Sequence, residues 1–357
     1  MEWVDRPRAA ALAPAEAARG DARAIAVWLL ACCALVFAMV VVGGVTRLTH
    51  SGLSITEWQP IVGTLPPLDQ AGWEEAFRNY QATPEYREVN RGMTLAAFKG
   101  IFWLEYAHRL LGRAIGAAFL LPLLWFVARR RLPPGLAPQL FAIFGLGALQ
   151  GAAGWYMVRS GLVADPRVSQ LRLTLHLALA FLIFGAMLWL ALSLLRRPAS
   201  AAPPASLRRF AQALTALVFV MVLAGGLVAG IRAGFAYNTF PSMNGAWVPP
   251  EIMLLDPWYL NFVNNMATVQ FDHRAIAWLL AIAVPVFWWR AVRSREVPAE
   301  ARRAAHLLLA LLIVQLALGI ATLLLVVPIP LAAAHQAGAL ALFAAALAAA
   351  HSLRRRA

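Results

Sequence analysis

The sequence predicts an all-α integral membrane protein: eight transmembrane helices forming two tandem four-helix bundles related by a pseudo-twofold axis. Three observations carry this. The 357 residues are 61% hydrophobic and only 13% charged, against about 45–50% and about 25% in an ordinary soluble domain. Eight stretches reach the length of about 20 apolar residues that a bilayer crossing needs. The second half of the chain repeats the pattern of the first. The net charge of +14 does not indicate a nucleic-acid binder. The arginines stand in short clusters between apolar runs, which is how topology-setting charge is distributed.

The elements follow in order. The first 20 residues are polar and Pro/Ala-rich, with Arg6, Arg8 and Arg19 beside Glu2, Asp5 and Glu16. No small-residue cleavage site ends the apolar run that follows. It reads as a retained helix behind a cytoplasmic tail (1–23), not as a signal peptide. The eight spans cover 24–44, 98–127, 139–158, 171–195, 211–229, 269–289, 304–327 and 331–350, and Pro328-Ile329-Pro330 marks a tight turn between the last two. Arg129-Arg130-Arg131, Arg196-Arg197, Arg208-Arg209, Arg290, Arg293, Arg295, Arg302, Arg303 and Arg354-Arg355-Arg356 all fall on one side of these spans. That side is expected to be cytoplasmic, with both termini inside a bacterial inner membrane. The long connections 45–97 and 230–268 then face outside. Cys32 and Cys33 are adjacent within the first span, where they read as small core residues and not as a disulfide.

The repeat sets the domain organisation. Phe37-Ala-Met-Val-Val-Val-Gly-Gly-Val45 resembles Phe219-Val-Met-Val-Leu-Ala-Gly-Gly-Leu227, and each precedes an outside connection with a Pro-Pro pair, Pro66-Pro67 and Pro249-Pro250. His108-Arg109 matches His273-Arg274, Gln150 matches Gln315 with Gly319 nearby, and His176 matches His335. An N-terminal half (24–197) and a C-terminal half (211–357) are joined by a cytoplasmic linker (198–210). Four spans is an even number, so the halves share one orientation about an axis along the membrane normal.

Of seven histidines, His50, His306 and His351 lie at interfaces or in loops, whereas His108, His176, His273 and His335 lie within spans. An ionisable group in a bilayer is costly and points to function. A single such histidine often only bonds helix to helix, but two pairs at matching places in a repeat form a pattern. Two histidines facing each other across a four-helix bundle suit a planar macrocycle with iron at its centre. Zinc would need a third and fourth ligand that do not stand nearby. One turn before the histidine the halves differ: Glu105-Tyr-Ala-His108 against Gln270-Phe-Asp-His273. Glu105 shares a helix face with His108, so the first site carries an acid and the second an amide that cannot ionise. The acid can handle protons or stabilise developing positive charge. The first site therefore reads as reactive and the second as an electron-transfer site. Asp272 is expected to orient a neighbour or to pair with Arg274. For Arg109, Arg113 and Arg274 two readings stand open, pairing with the carboxylates of a haem or snorkelling to lipid headgroups. The aromatics Trp58, Trp73, Tyr80, Tyr86, Tyr237, Phe240, Trp247 and Trp258 read as interfacial belts or as lids.

The stretches Gly43-Gly-Val-Thr-Arg-Leu-Thr49, Gly52-Leu-Ser-Ile-Thr-Glu-Trp58 with Pro60, Glu105-Tyr-Ala-His-Arg-Leu-Leu-Gly112 and Asn238-Thr-Phe-Pro-Ser-Met243 resemble those of haem A synthases, which mature the haem of cytochrome oxidases. The resemblance runs from Gly43 to His335. It implies oxidation of the C8 methyl group of haem O to a formyl group by successive hydroxylations, with oxygen from water. It implies substrate haem at His108 and His176 with Arg109 beside it, haem b as cofactor on His273 and His335, and Glu105 as the catalytic glutamate. No outside connection carries the cysteine pair of many members, so the chain resembles the cysteine-lacking branch typical of alphaproteobacteria and mitochondria. Haem O synthase is an expected partner, because haem A and its precursor are too apolar to diffuse freely. The electron acceptor, the role of His50 and the formation of a homo-oligomer stay open. The rival classes are a di-haem b membrane electron carrier, which needs two equivalent haems, and a two-repeat transporter.

Overall fold

The computed structural model describes residues 6–58, 62–163, 166–195 and 203–354. Among them there is no β-strand, only an isolated bridge between Met243 and Ala246. Eleven helices form: α1 (Arg6–Leu48), α2 (Gln70–Gln81), α3 (Pro84–Glu88), α4 (Leu95–Ala128), α5 (Leu136–Gly161), α6 (Gln170–Leu195), α7 (Ala205–Gly230), α8 (Asn261–Asn264), α9 (Met266–Arg293), α10 (Ala299–Leu324) and α11 (Ile329–Ser352). Eight of them are long and apolar enough to cross a membrane, α1 by its stretch Gly20–Leu48. These match the eight stretches read from the sequence. Exposed Leu121, Ile282 and Ile313 show why: these helices are apolar on the outward faces as well, as lipid requires. Pro122 and Pro285 lie inside α4 and α9, a position that spans tolerate. Arg196-Arg197 and Arg355-Arg356 lie outside the described residues.

Local signals set the helix starts on the loop-bearing side. Thr94 accepts from Ala97 N at the start of α4, and Asn265 accepts from Ala267 N and Thr268 N at the start of α9, so the helices carrying His108 and His273 both open on a side-chain cap. The connection read from sequence as one long loop contains α2 and α3, capped by Asp69 and Thr83. Trp73 and Tyr80 of α2 pack on Phe98 and Phe102 of α4 as a separate aromatic cluster. That cluster covers the start of α4. It gives Trp73 and Tyr80 a packing role in place of the belt-or-lid readings.

The long helices pack in two closed quartets. α1 meets α4 and α6, and α5 meets α4 and α6; α7 meets α9 and α11, and α10 meets α9 and α11. The quartets join where α6 and α1 lie against α7 and α11, and one apolar core runs through both. Small residues permit the close approach. A Cβ on Gly185 would lie 3.1 Å from the Phe343 ring, and Gln336, seated over Gly44, donates 2.9 Å to the Val40 carbonyl. At the loop-side end of this seam the Arg47 guanidinium donates to the Ala229 carbonyl, and the Arg232 guanidinium lies 3.4 Å from Nδ1 of His50. Both pairs are 182 residues apart, the same offset that separates Phe37 from Phe219. Each half thus meets its own counterpart position.

Candidate functional site

The four intramembrane histidines share one construction. His108 on α4 sits against Gly43 of α1, where an added Cβ would lie 2.9 Å from its Cε1. His176 on α6 sits against Gly154 of α5 at 2.9 Å, His273 on α9 against Gly225 of α7 at 3.3 Å, and His335 on α11 against Gly319 of α10 at 2.8 Å. At Gly43, Gly154 and Gly319 a side-chain carbon would be closer than packed interiors allow, and at Gly225 it would be tight, so glycine eases the approach of the ring edge. In all four, Nδ1 is buried and has no hydrogen-bond partner. His108 lies within electrostatic reach of His176, and His335 of His273. The structure thus groups the histidines as α4 with α6 and α9 with α11, one pair per quartet. Among the described residues no three His, Cys, Asp or Glu side chains gather as a metal site; a haem needs only one or two axial ligands.

The residues one turn before the first histidine of each pair are set in matching frames of opposite polarity. Glu105 is buried, and its Oε2 accepts from Ser54 Oγ at 2.7 Å and from Ile55 N at 2.8 Å. Its Oε1 accepts from Arg109 at 2.7 and 3.0 Å. Four donors, two of them from the Arg109 guanidinium, converge on this side chain and call for acceptor oxygens. Gln270 is equally buried, its Oε1 accepts from Arg274 at 3.0 Å, and its Nε2 donates 2.7 Å to the Ala233 carbonyl. There the backbone offers an acceptor, so the side chain must supply a donor. The two frames dictate acid in one half and amide in the other.

The arginines take a role that neither open reading named. Arg109 donates to the carbonyls of Glu57 at 2.9 Å and Ile55 at 2.8 Å; Arg274 donates to those of Tyr237 at 2.9 Å and Ser242 at 3.2 Å. Each pins the loop over its quartet to the helix that carries the histidine. Arg274 bonds Gln270 and the loop through its two terminal nitrogens, and among the described residues no ion pair joins it to Asp272, which corrects the pairing alternative expected for Asp272. The glutamines also differ: Gln150 Nε2 lies 3.4 Å from Nε2 of His176, whereas Gln315 Nε2 donates 2.9 Å to the His335 carbonyl.

The other histidines divide. His306 accepts from Trp288 Nε1 at 2.9 Å, and buried His351 lies 3.1 Å from Ser193 Oγ; both bond helix to helix. His50 lies 3.7 Å from a buried carboxyl, that of Glu85. Sequence reasoning missed Glu85, Ser54 and the glycine partners. Gly43 and Gly225 stood in the repeat, yet nothing local says which ring lies against them.

The chain matches the model of the cytochrome oxidase assembly protein family over residues 26–347. A haem A synthase of Nitrosospira multiformis is 61% identical over 337 residues, covering 93% of this chain and 94% of the relative. One of Nitrosomonas eutropha is 57% identical over 328 residues, covering 90% and 92%. One of Paramagnetospirillum magneticum is 49% identical over 344 residues, covering 95% and 96%.

Proposed function

This chain belongs to the cytochrome oxidase assembly protein family, and on that premise we propose that it is a haem A synthase, a multi-pass membrane oxidoreductase that converts haem O to haem A. The reaction replaces the C8 methyl group by a formyl group through two hydroxylations with water-derived oxygen. In balance, CH3 and one water give CHO, four protons and four electrons. The observation that carries the reading is the set of four histidine rings, each seated against a glycine, in two pairs that differ by Glu105 against Gln270.

His108 and His176 are the residues for the substrate haem, and His273 and His335 are those for haem b. The fit of the second pair rests on its glycine seats and on Nδ1 atoms that are buried without a hydrogen-bond partner. Haem b, when bound there, supplies a one-electron carrier. Arg109 fixes the direction of Glu105, so that a carboxylate stands one turn from His108 in a site screened by the loop. A fixed carboxylate there stabilises positive charge that develops at the methyl carbon as it is oxidised. Arg109 also keeps the loop closed over the substrate side. In the second half the same scaffold carries a neutral amide, which suits a resident cofactor.

Each quartet is one half of a pseudo-twofold pair, residues 24–197 and 211–357, with the arginine-rich ends and both termini on the cytoplasmic side. Haem O synthase is the partner that the apolar substrate calls for.

Haem extraction and chromatography on the purified protein and on His273→Ala test the assignment. We expect haem b with traces of haem O or haem A in the wild type, and loss of haem b in the variant. Two equivalents of haem b with neither haem O nor haem A would replace this reading by the di-haem electron carrier.

A further inference from the structure

We propose that His50 and Glu85 form a proton exit for the substrate half, a carboxyl–imidazole couple that passes protons released by the oxidation to water on the loop-bearing face. The proposal rests on the haem A synthase reading and adds two residues with no other role in it.

Glu85, in α3 within the first loop, has a side chain only 3% exposed, and its Oε2 is buried without a hydrogen-bond partner. Its Oε1 lies 3.7 Å from Nδ1 of His50, whose side chain is 39% exposed. A buried carboxylate with a free oxygen is costly as a charge, and burial pushes the Glu85 carboxyl above its usual range. His50 and Arg232 oppose that rise, and Glu105, within electrostatic reach on α4, adds to it. Tyr80, the other titratable neighbour, has its hydroxyl bonded by Asn90 at 2.7 Å.

The two partners of His50 make opposite demands on one atom. Arg232, 3.4 Å from Nδ1, is always a donor, so its contact requires Nδ1 bare. The contact with the Glu85 carboxylate requires Nδ1 protonated. The ring therefore stands between two states that differ by one proton. His50 and Arg232 are both left-handed, φ 54° and 57°, a backbone that non-glycine residues adopt rarely; it presents both side chains to the seam.

The step is a plain transfer. The O–H bond of protonated Glu85 breaks and an N–H bond forms at Nδ1 of His50. The imidazolium gives a proton to water, and exchange with water restores the bare Nδ1 facing Arg232. No electrons move with it; the four electrons leave by the redox route. In the second half the counterpart of His50 is Arg232 and that of Glu105 is Gln270, so the half with an amide before its histidine also lacks an imidazole at the exit position.

Isolated membranes, which retain the electron acceptor, supplied with haem O, provide the test, with haem A formation followed by chromatography between about pH 5 and pH 9. Deprotonated Glu85 accepts protons, so the wild-type rate rises with pH through the Glu85 titration. Glu85→Gln is expected to slow the reaction about tenfold or more and to abolish that rise, with the haem b absorbance unchanged. His50→Ala is expected to be slow and to recover with added imidazole. Wild-type rates and pH profiles in both variants, or no recovery with imidazole, would overturn the proposal. If Glu85→Gln does not accumulate, the partly exposed His50→Ala and its imidazole response decide alone. Wild-type membranes that make no haem A, with two haem b per chain, would instead sink the parent assignment.

Discussion

At the level of single residues, the glycines opposite the histidines shape the candidate site as much as the histidines do. A methyl group at Gly319 must push against the His335 ring at 2.8 Å, and the ring must turn from its present direction. Gly319→Ala is expected to lower haem b content to the level of His335→Ala, read from the absorbance of the purified protein. Gly154→Ala, the same change against His176, is expected to keep haem b and lose haem A formation. Glu105→Gln should leave folding and haem b intact and slow oxidation by about 10²–10³-fold, the range for removing one fixed charge-stabilising group; full activity would remove the role given to Glu105. The reverse exchange, Gln270→Glu, sets a carboxylate oxygen against the Ala233 carbonyl, 2.7 Å from the present amide nitrogen. Losing that donor is expected to cost about 1–3 kcal/mol, measurable as a lower midpoint of thermal unfolding. The acid itself was legible in sequence, because Glu105 and Gln270 stand at matching positions. Its partners were not. Ser54 and Ile55 lie some 50 residues away in the chain, and no local pattern announces a hydrogen bond across that distance.

Among elements, the eight spans were the easiest part to read, because burial in lipid demands long apolar runs regardless of what the neighbours do. Their ends shifted where caps decide them: α4 begins at Leu95 after Thr94, and α9 at Met266 after Asn265. The helices inside the first loop were not legible. α2 and α3 are short, and they persist because Trp73 and Tyr80 bury against α4, a tertiary contact that overrides weak local preference. Trp73→Ala is expected to cost about 3–5 kcal/mol locally and to open the first loop to protease while the spans stay intact. That is visible as a cleavage product ending between α2 and α4. Similarly, Asn238, noted in sequence only as part of a shared stretch, donates to the Gly234 and Leu323 carbonyls at 2.7 and 2.8 Å. It ties the second loop to the end of α10.

Across the whole molecule, composition revealed the eight spans, and the arginine clusters predict their direction. A fluorescent reporter fused after the last helix is expected to mature in the cytoplasm, and an alkaline phosphatase at the same place to stay inactive; the reverse pattern would invert the topology. What the repeat could not reveal is how far the halves have diverged where they touch. Gln336 against Val40 is a contact between unlike partners along that seam, whereas Phe181 against Phe343 still sets like on like.

The pairs 182 residues apart carry a consequence for descent. Had one half been duplicated and left unchanged, the seam would set each residue against its own copy. Two C-terminal halves would then press guanidinium on guanidinium at position 232, and two like charges at contact distance repel. In this chain that place holds a histidine opposite an arginine, and an arginine opposite the plain carbonyl of Ala229. A freed C-terminal half is accordingly poorly made to pair with itself, and the polypeptide link between the halves has become a commitment that neither can undo.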